Sequence, residues 1–274
     1  MDENKDKLIK IFQQNVKGKK CDISTKNPNH DGKKGHWLEE QFNIIANGNN
    51  APDILGYELK NQTNSKITFG DWSANRYIFK DEIDGNNYSS LFSGNKAHEK
   101  QDSFCKIFGE SNQAKDGRYS WSGKPVPKIN QYNGYGQILI VDDNLDIKAI
   151  YSFSEDSRKD KNSIIPKELQ KDGIVIAKWF GKNSPSQKQK DKCLKLKLEN
   201  KFNDKGWFIC KTNSDGVYQE ICFGKPFNYY TWIELVKKGI VFFDSGMYEG
   251  NKRPYSQWRA NNSYWDSQIT ERYR

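Results

Sequence analysis

Histidine and methionine are scarce, with three and two in 274 residues. His30, His36 and His98 stand far apart, and the five cysteines (Cys21, Cys105, Cys193, Cys210 and Cys222) never form a Cys-x-x-Cys pair. A zinc site therefore has no support in the sequence. The odd, scattered thiols argue against a disulfide framework and for a reducing, cytoplasmic setting. No apolar run approaches the roughly 20 residues that span a bilayer. The polar start Met1-Asp2-Glu3-Asn4 lacks the charged-then-apolar pattern of a secretory signal. Acidic residues are also in deficit: 35 Asp and Glu face 44 Lys and Arg, a formal charge of +9 and a pI near 9.1.

What is present complements that deficit. Aromatic residues make up 14% of the chain. Cations attract phosphates and aromatic rings stack or wedge at bases, so the composition suits a polyanion. The bland alternative, a Lys/Asn-rich protein with a solvated surface, has the same charge. At this length the chain can bury one large core or divide into two lobes.

The stretch Ala51-Pro52-Asp53-Ile54-Leu55-Gly56-Tyr57-Glu58-Leu59-Lys60 carries the most chemistry. It reads as a strand end, a tight bend at Gly56 and a second strand. Alternation along that strand puts Glu58 and Lys60 on one face and turns Leu59 into the core. The bend can bring Asp53 back beside them. Two carboxylates and an ammonium on one sheet face are costly unless something uses them. Mg²⁺ would, because it takes carboxylate oxygens and keeps several waters, and the lysine could then orient a water for attack on a phosphate. The competing reading is a solvated hairpin edge with an ordinary ion pair. Glu-x-Lys also occurs at Glu3/Lys5 and Glu199/Lys201, but without an Asp at hairpin distance in an apolar, strand-like setting.

Along the chain, Asp6 to Val16 reads as a short amphipathic helix, followed by a polar stretch over 22–35 with turn signals at Asn27-Pro28 and Asp31-Gly32. A second helix is expected from Lys34 to Ile45, with Trp37, Leu38, Phe42 and Ile45 inward. Glu39 and Glu40 on it read as solvated residues, or, if the helix packs across the hairpin, one of them could join the acidic cluster. Lys66 and Thr68 follow in a Lys/Thr/Ser-rich segment that could touch phosphate or merely face water. Residues 81–135 show loops around a possible helix at 97–109. Hairpins are expected over 136–151 and 206–223, a strand over 173–179, a basic surface segment over 181–201, a helix over 229–238 and a strand at 240–243. The tail holds Lys252, Arg253, Tyr255, Gln257 and Arg259 among glycines. It reads as a loop that enters a DNA groove, where Arg bonds guanine and Gln bonds adenine. Arginines that steady acidic surface loops are the other reading.

Asp53-x4-Glu58-x-Lys60, preceded by Ala51-Pro52, resembles the PD-(D/E)xK motif of the MvaI/BcnI restriction endonucleases, relatives of the mismatch-repair nickase MutH. Gly35-His36-Trp37-Leu38-Glu39 resembles that family's helix pattern, which puts Glu39 rather than Glu40 at the active site. Ser245-Gly246 through Arg259 takes the place of the family's base-reading segment. The Gly35–Trp72 region is similar to LlaMI- and ScrFI-type enzymes, which cut at CCNGG.

The resemblance implies an α/β fold: a PD-(D/E)xK nuclease core, a mixed central sheet flanked by helices, with two lobes forming a DNA-binding cleft. Residues 1–155 would be mainly catalytic and 156–274 mainly DNA-recognising, with an approximate boundary and room for the lobes to interleave. The implied activity is Mg²⁺-dependent hydrolysis of double-stranded DNA at a short site, by a monomer whose system partner is a DNA methyltransferase. Asp53 and Glu58 would hold the metal, Lys60 would act on the water, and Glu39 would complete the site. A MutH-like nickase and a non-cleaving DNA-binding protein are the alternatives.

Overall fold

The computed structural model describes residues 2–22, 33–45, 50–186, 192–202 and 204–274. The turn signals expected at Asn27-Pro28 and Asp31-Gly32 lie outside them. The chain forms two compact units that interleave along the sequence: 1–67, 198–228 and 260–274 in the first, 68–197 and 229–259 in the second. Each unit thus draws on residues from both sides of the expected 155/156 line.

The first unit is built on a four-stranded mixed sheet in the order Glu58–Lys60, Trp207–Thr212, Tyr218–Gly224, Ile269–Tyr273. The first pair is parallel, with Glu58 opposite Trp207 and Lys60 opposite Ile209, and the other two are antiparallel. One face carries Leu59, Phe208, Cys210, Tyr218, Ile221 and Phe223, and two helical segments cover it. Glu3–Ile11 continues into a wider π-helical turn, Phe12–Val16, so that Leu8, Phe12 and Val16 fall on one buried stripe. Lys33–Gln41 brings Trp37 and Leu38 inward, with Phe42 just beyond. Trp37 stacks on Tyr218, and Phe42 meets Phe208 edge-on. The helix stops short of the expected Ile45, which is 84% exposed: Asn43 takes a left-handed φ of 56° and breaks the register.

The second unit holds a five-stranded sheet in the order Arg76–Tyr77, Ile174–Trp179, Ile147–Asp156, Tyr135–Val141, Lys128–Ile129. Its centre is the expected hairpin, with Ile138 opposite Ile150. A buried aromatic cluster runs through Trp179, Phe243, Trp258 and Trp232, with ring centroids 5.0–5.5 Å apart from one member to the next. The expected helix at 97–109 is present as Ala97–Phe108, and the one at 229–238 as Tyr229–Lys237.

Two expectations need correction. The segment around Leu194, Leu196 and Leu198 is not a basic surface strip but a helix, Leu194–Phe202. Leu194, Leu198 and Phe202 are fully buried at i, i+4 spacing, while Leu196 is exposed. The tail is also more regular than a groove-entering loop. Ser256–Asn261 is a strand of the sheet ordered Val241–Ser245, Ser256–Asn261, Lys66–Asp71. Ser256, Trp258 and Ala260 point inward, so Gln257 and Arg259 share the outer face. Among the described residues no helix is long and apolar enough to cross a membrane.

Candidate active site

The expected bend is a two-residue turn. Ile54 and Tyr57 exchange both backbone hydrogen bonds, at 2.8 and 3.1 Å, across Leu55 and Gly56. Both central residues are left-handed, with φ of 52° and 83°. Gly56 has a second reason to be glycine, since a Cβ there would stand 2.2 Å from an Asp204 oxygen. The N-terminus braces the same turn: the Tyr57 hydroxyl donates to Asp2 at 2.8 Å, and the Asn4 amide donates to the Leu55 carbonyl. Lys205 completes this brace at 2.7 Å from Asp2, whose carboxyl is held down at about 2 chiefly by the lysine and Tyr57.

The turn folds Asp53 back onto the strand, where its Oδ2 accepts the Leu59 amide N–H at 2.9 Å. Burial, reinforced by the Glu58 charge, pushes the Asp53 carboxyl up from 3.8 to about 6. Glu58 and Lys60 are 2% and 4% exposed. Lys60 Nζ lies 2.8 Å from Glu58 Oε1, and 4.8 Å from the centre of the Phe202 ring. Burial lowers the Lys60 ammonium below its ordinary value. Lys201, on the helix that sequence reading takes as a surface strip, comes to 3.0 Å from the same Glu58 oxygen. The other oxygen, Oε2, is buried with no hydrogen-bond partner.

Thus Asp53, Glu58 and Lys60 come together as expected, and Lys201 joins them unforeseen. Its only sequence signal is Glu199-x-Lys201 in a helix whose neighbouring Leu198 and Phe202 are core residues. Glu39 is half-buried on the Lys33–Gln41 helix. It does not complete a trio: among the described residues no three His, Cys, Asp or Glu side chains lie close enough to cage an ion.

The residues expected to read DNA fall into three groups. Lys66 is half-buried at the start of its strand, and the Thr68 hydroxyl bonds the Gly70 and Trp258 carbonyls. Lys252, Arg253 and Tyr255 are exposed; Arg253 pairs with Asp71 at 2.8 Å and lies over the Tyr255 ring at 4.1 Å. On the strand itself, Arg259 pairs with Asp244 at 3.2 Å beside Gln257.

The residues fit a hard divalent cation on their own chemistry. Two carboxylates share a poorly solvated corner, and Asp53 is reluctant to ionise there, chiefly because it is buried and also because the Glu58 charge is close. A buried carboxylate oxygen is left unsatisfied, which is costly unless it has a partner. Mg²⁺ needs only one or two protein carboxylates, so the missing trio is no obstacle.

A mixed sheet with an Asp-Glu-Lys cluster at its parallel edge strand is a nuclease architecture, and the fold is shared with one. The complex of restriction endonuclease MvaI with its cognate DNA matches with a TM-score of 0.58 at 13% identity, over 100% of this chain and 98% of that one. The chain belongs to the LlaMI restriction endonuclease family, whose pattern spans residues 16–273. It is 60% identical over 272 residues to the type II restriction enzyme ScrFI of Lactococcus lactis subsp. cremoris, with 99% of each chain covered.

Proposed function

We propose that the chain hydrolyses double-stranded DNA at a short CCNGG-like site, with Mg²⁺ held by Asp53 and Glu58. The observation that carries this reading is the division of Glu58: two ammoniums share Oε1, and Oε2 is buried with no partner. Bound there, the metal would polarise the scissile phosphate and make a water acidic enough to attack. Asp53, bent back by the Leu55–Gly56 turn, supplies the second oxygen donor. Lys60, held against Glu58 Oε1, orients the attacking water. Glu39 stands as an outer carboxylate, supporting the site rather than ligating the metal.

Recognition is assigned to the segment around 252–259, with Arg253, Gln257 and Arg259 reading base edges, and Lys252 and Tyr255 flanking them. Their acidic partners support this reading, because an ion pair holds the flat guanidinium in one plane, as bidentate bonding to guanine requires. Lys66 and Thr68 take phosphate-side positions. The protein acts as a cytoplasmic monomer and cuts the two strands in turn, and a methyltransferase that modifies the same site is its system partner.

Supercoiled plasmid carrying CCNGG sites tests the reading. Mg²⁺-dependent conversion to nicked and then linear DNA is expected. Nicked circles that never become linear would favour a MutH-like nickase. Binding without any cleavage would favour a DNA-binding protein.

A further inference from the structure

We propose that Lys201 is a second catalytic lysine, whose ammonium contacts the scissile phosphate while Lys60 stays committed to Glu58. This rests on the cleavage-site reading above.

The two ammoniums share one carboxylate oxygen but differ in every other respect. Lys60 is enclosed: its side chain is 5% exposed and lies against Phe202 and Trp265. A phosphodiester, which cannot leave the surface of a duplex, has little access to it. The Lys201 side chain is 20% exposed, four times as open as that of Lys60, while its ammonium still reaches the buried carboxylate at 3.0 Å. It sits in the last turn of the Leu194–Phe202 helix, which the fully buried Leu198 and Phe202 anchor in the core. An ammonium anchored at one edge of a carboxylate pair and open at the other is placed to receive a non-bridging phosphate oxygen. Helix anchoring makes its position reproducible, as a group that stabilises developing charge must be. A lysine that served only to neutralise Glu58 would duplicate Lys60.

The test is a binding cycle on the full chain, at the cleaved phosphate located by sequencing the ends of wild-type digests. Duplexes with a native phosphate or an uncharged methylphosphonate at that position are titrated in Ca²⁺ in place of Mg²⁺. The proteins are wild type, Lys201→Met, Lys201→Gln as a second neutral variant, and Lys201→Arg. Wild type should lose about tenfold in affinity on the methylphosphonate, the worth of one charge-assisted hydrogen bond. Both neutral variants should bind the native duplex about tenfold more weakly and lose clearly less than wild type on the methylphosphonate, since only the metal's contact with that phosphate is left to lose. Lys201→Arg should recover most of the discrimination. Ca²⁺ affinity of the neutral variants without DNA should be undiminished, since removing a cation beside two carboxylates does not weaken a metal.

Equal methylphosphonate losses in wild type and the neutral variants would overturn the proposal. So would weakened Ca²⁺ binding by the free variants, which would make Lys201 a clamp acting through Glu58. A wild type indifferent to the methylphosphonate would remove the cleavage-site reading itself, and this proposal with it.

Discussion

Asp53 and Glu58 are both carboxylates of one site, yet the protein treats them oppositely. Glu58 is matched by two ammoniums, whereas Asp53 is partly desolvated beside another negative charge. Replacing each should therefore shift stability in opposite directions, although both replacements should abolish cleavage. Glu58→Gln leaves a fully buried ammonium without its counter-charge and should cost about 3–5 kcal/mol. Asp53→Asn removes a charge the fold disfavours and should stabilise the metal-free protein by roughly 1–2 kcal/mol, allowing for its partial exposure. The pH dependence follows. The folded-state value of about 6 lies above the ordinary 3.8, so between them the folded state binds the extra proton. Wild-type stability falls as pH rises through that window, because the unfolded state there binds fewer protons. Chemical denaturation of both proteins in EDTA should show the Asp53→Asn advantage growing from pH 4 to 6 and constant above it. An advantage that shrinks over that range would mean Asp53 is stabilised, not strained, by its surroundings. Glu39→Gln, at a position apart from the pair, should slow cleavage less than either; complete loss of cleavage would make Glu39 a ligand.

At the scale of the element, the site depends on a turn that only glycine can complete. Gly56→Ala meets both a left-handed φ of 83° and the Asp204 carboxylate, and should cost more than about 1 kcal/mol. It should also displace Asp53, so cleavage should fall even where the variant is folded, as measured by plasmid linearisation against thermal melting. Cleavage at the wild-type rate would show that Asp53 does not need the turn. The turn was legible because Asp53, Gly56, Glu58 and Lys60 are local: ten consecutive residues contain the whole device. Lys201 was not legible, because it arrives from a distant helix in which the alternation of Leu194, Leu196 and Leu198 masks the i, i+4 core spacing of Leu194, Leu198 and Phe202. The parallel pairing of Glu58–Lys60 with Trp207–Thr212 is equally non-local. Nor did the tail show its strand, since glycines and arginines mask the alternation of Ser256, Trp258 and Ala260. That strand sharpens the specificity prediction. Arg253→Ala and Arg259→Ala should each lose about ten- to a hundredfold on cognate duplex and little on scrambled duplex. Equal losses on both would make the segment a phosphate clamp.

For the whole molecule, the charge of +9 sets how binding responds to salt. Affinity for any duplex should fall steeply with ionic strength, and neutralising exposed lysines should flatten that slope without changing sequence preference. The interleaved units fit one continuous family pattern over residues 16–273 better than two separable domains. Sequence reading reached the family because the Asp-Glu-Lys motif and its helix are compact. The interleaving itself is non-local: the chain leaves the first unit near 67, returns near 198, leaves again after 228 and re-enters at 260. The proposed cleavage rests on Asp53, Glu58 and Lys60 acting together with a divalent metal at one site. Its most direct test is digestion of a fully sequenced phage genome by wild type and Asp53→Asn, with Mg²⁺ or EDTA, reading every fragment end. The account predicts ends at one short recurrent sequence of the CCNGG kind for wild type with Mg²⁺, and none for wild type in EDTA or for Asp53→Asn. Ends produced by Asp53→Asn or in EDTA, or wild-type ends with no shared sequence, would contradict it.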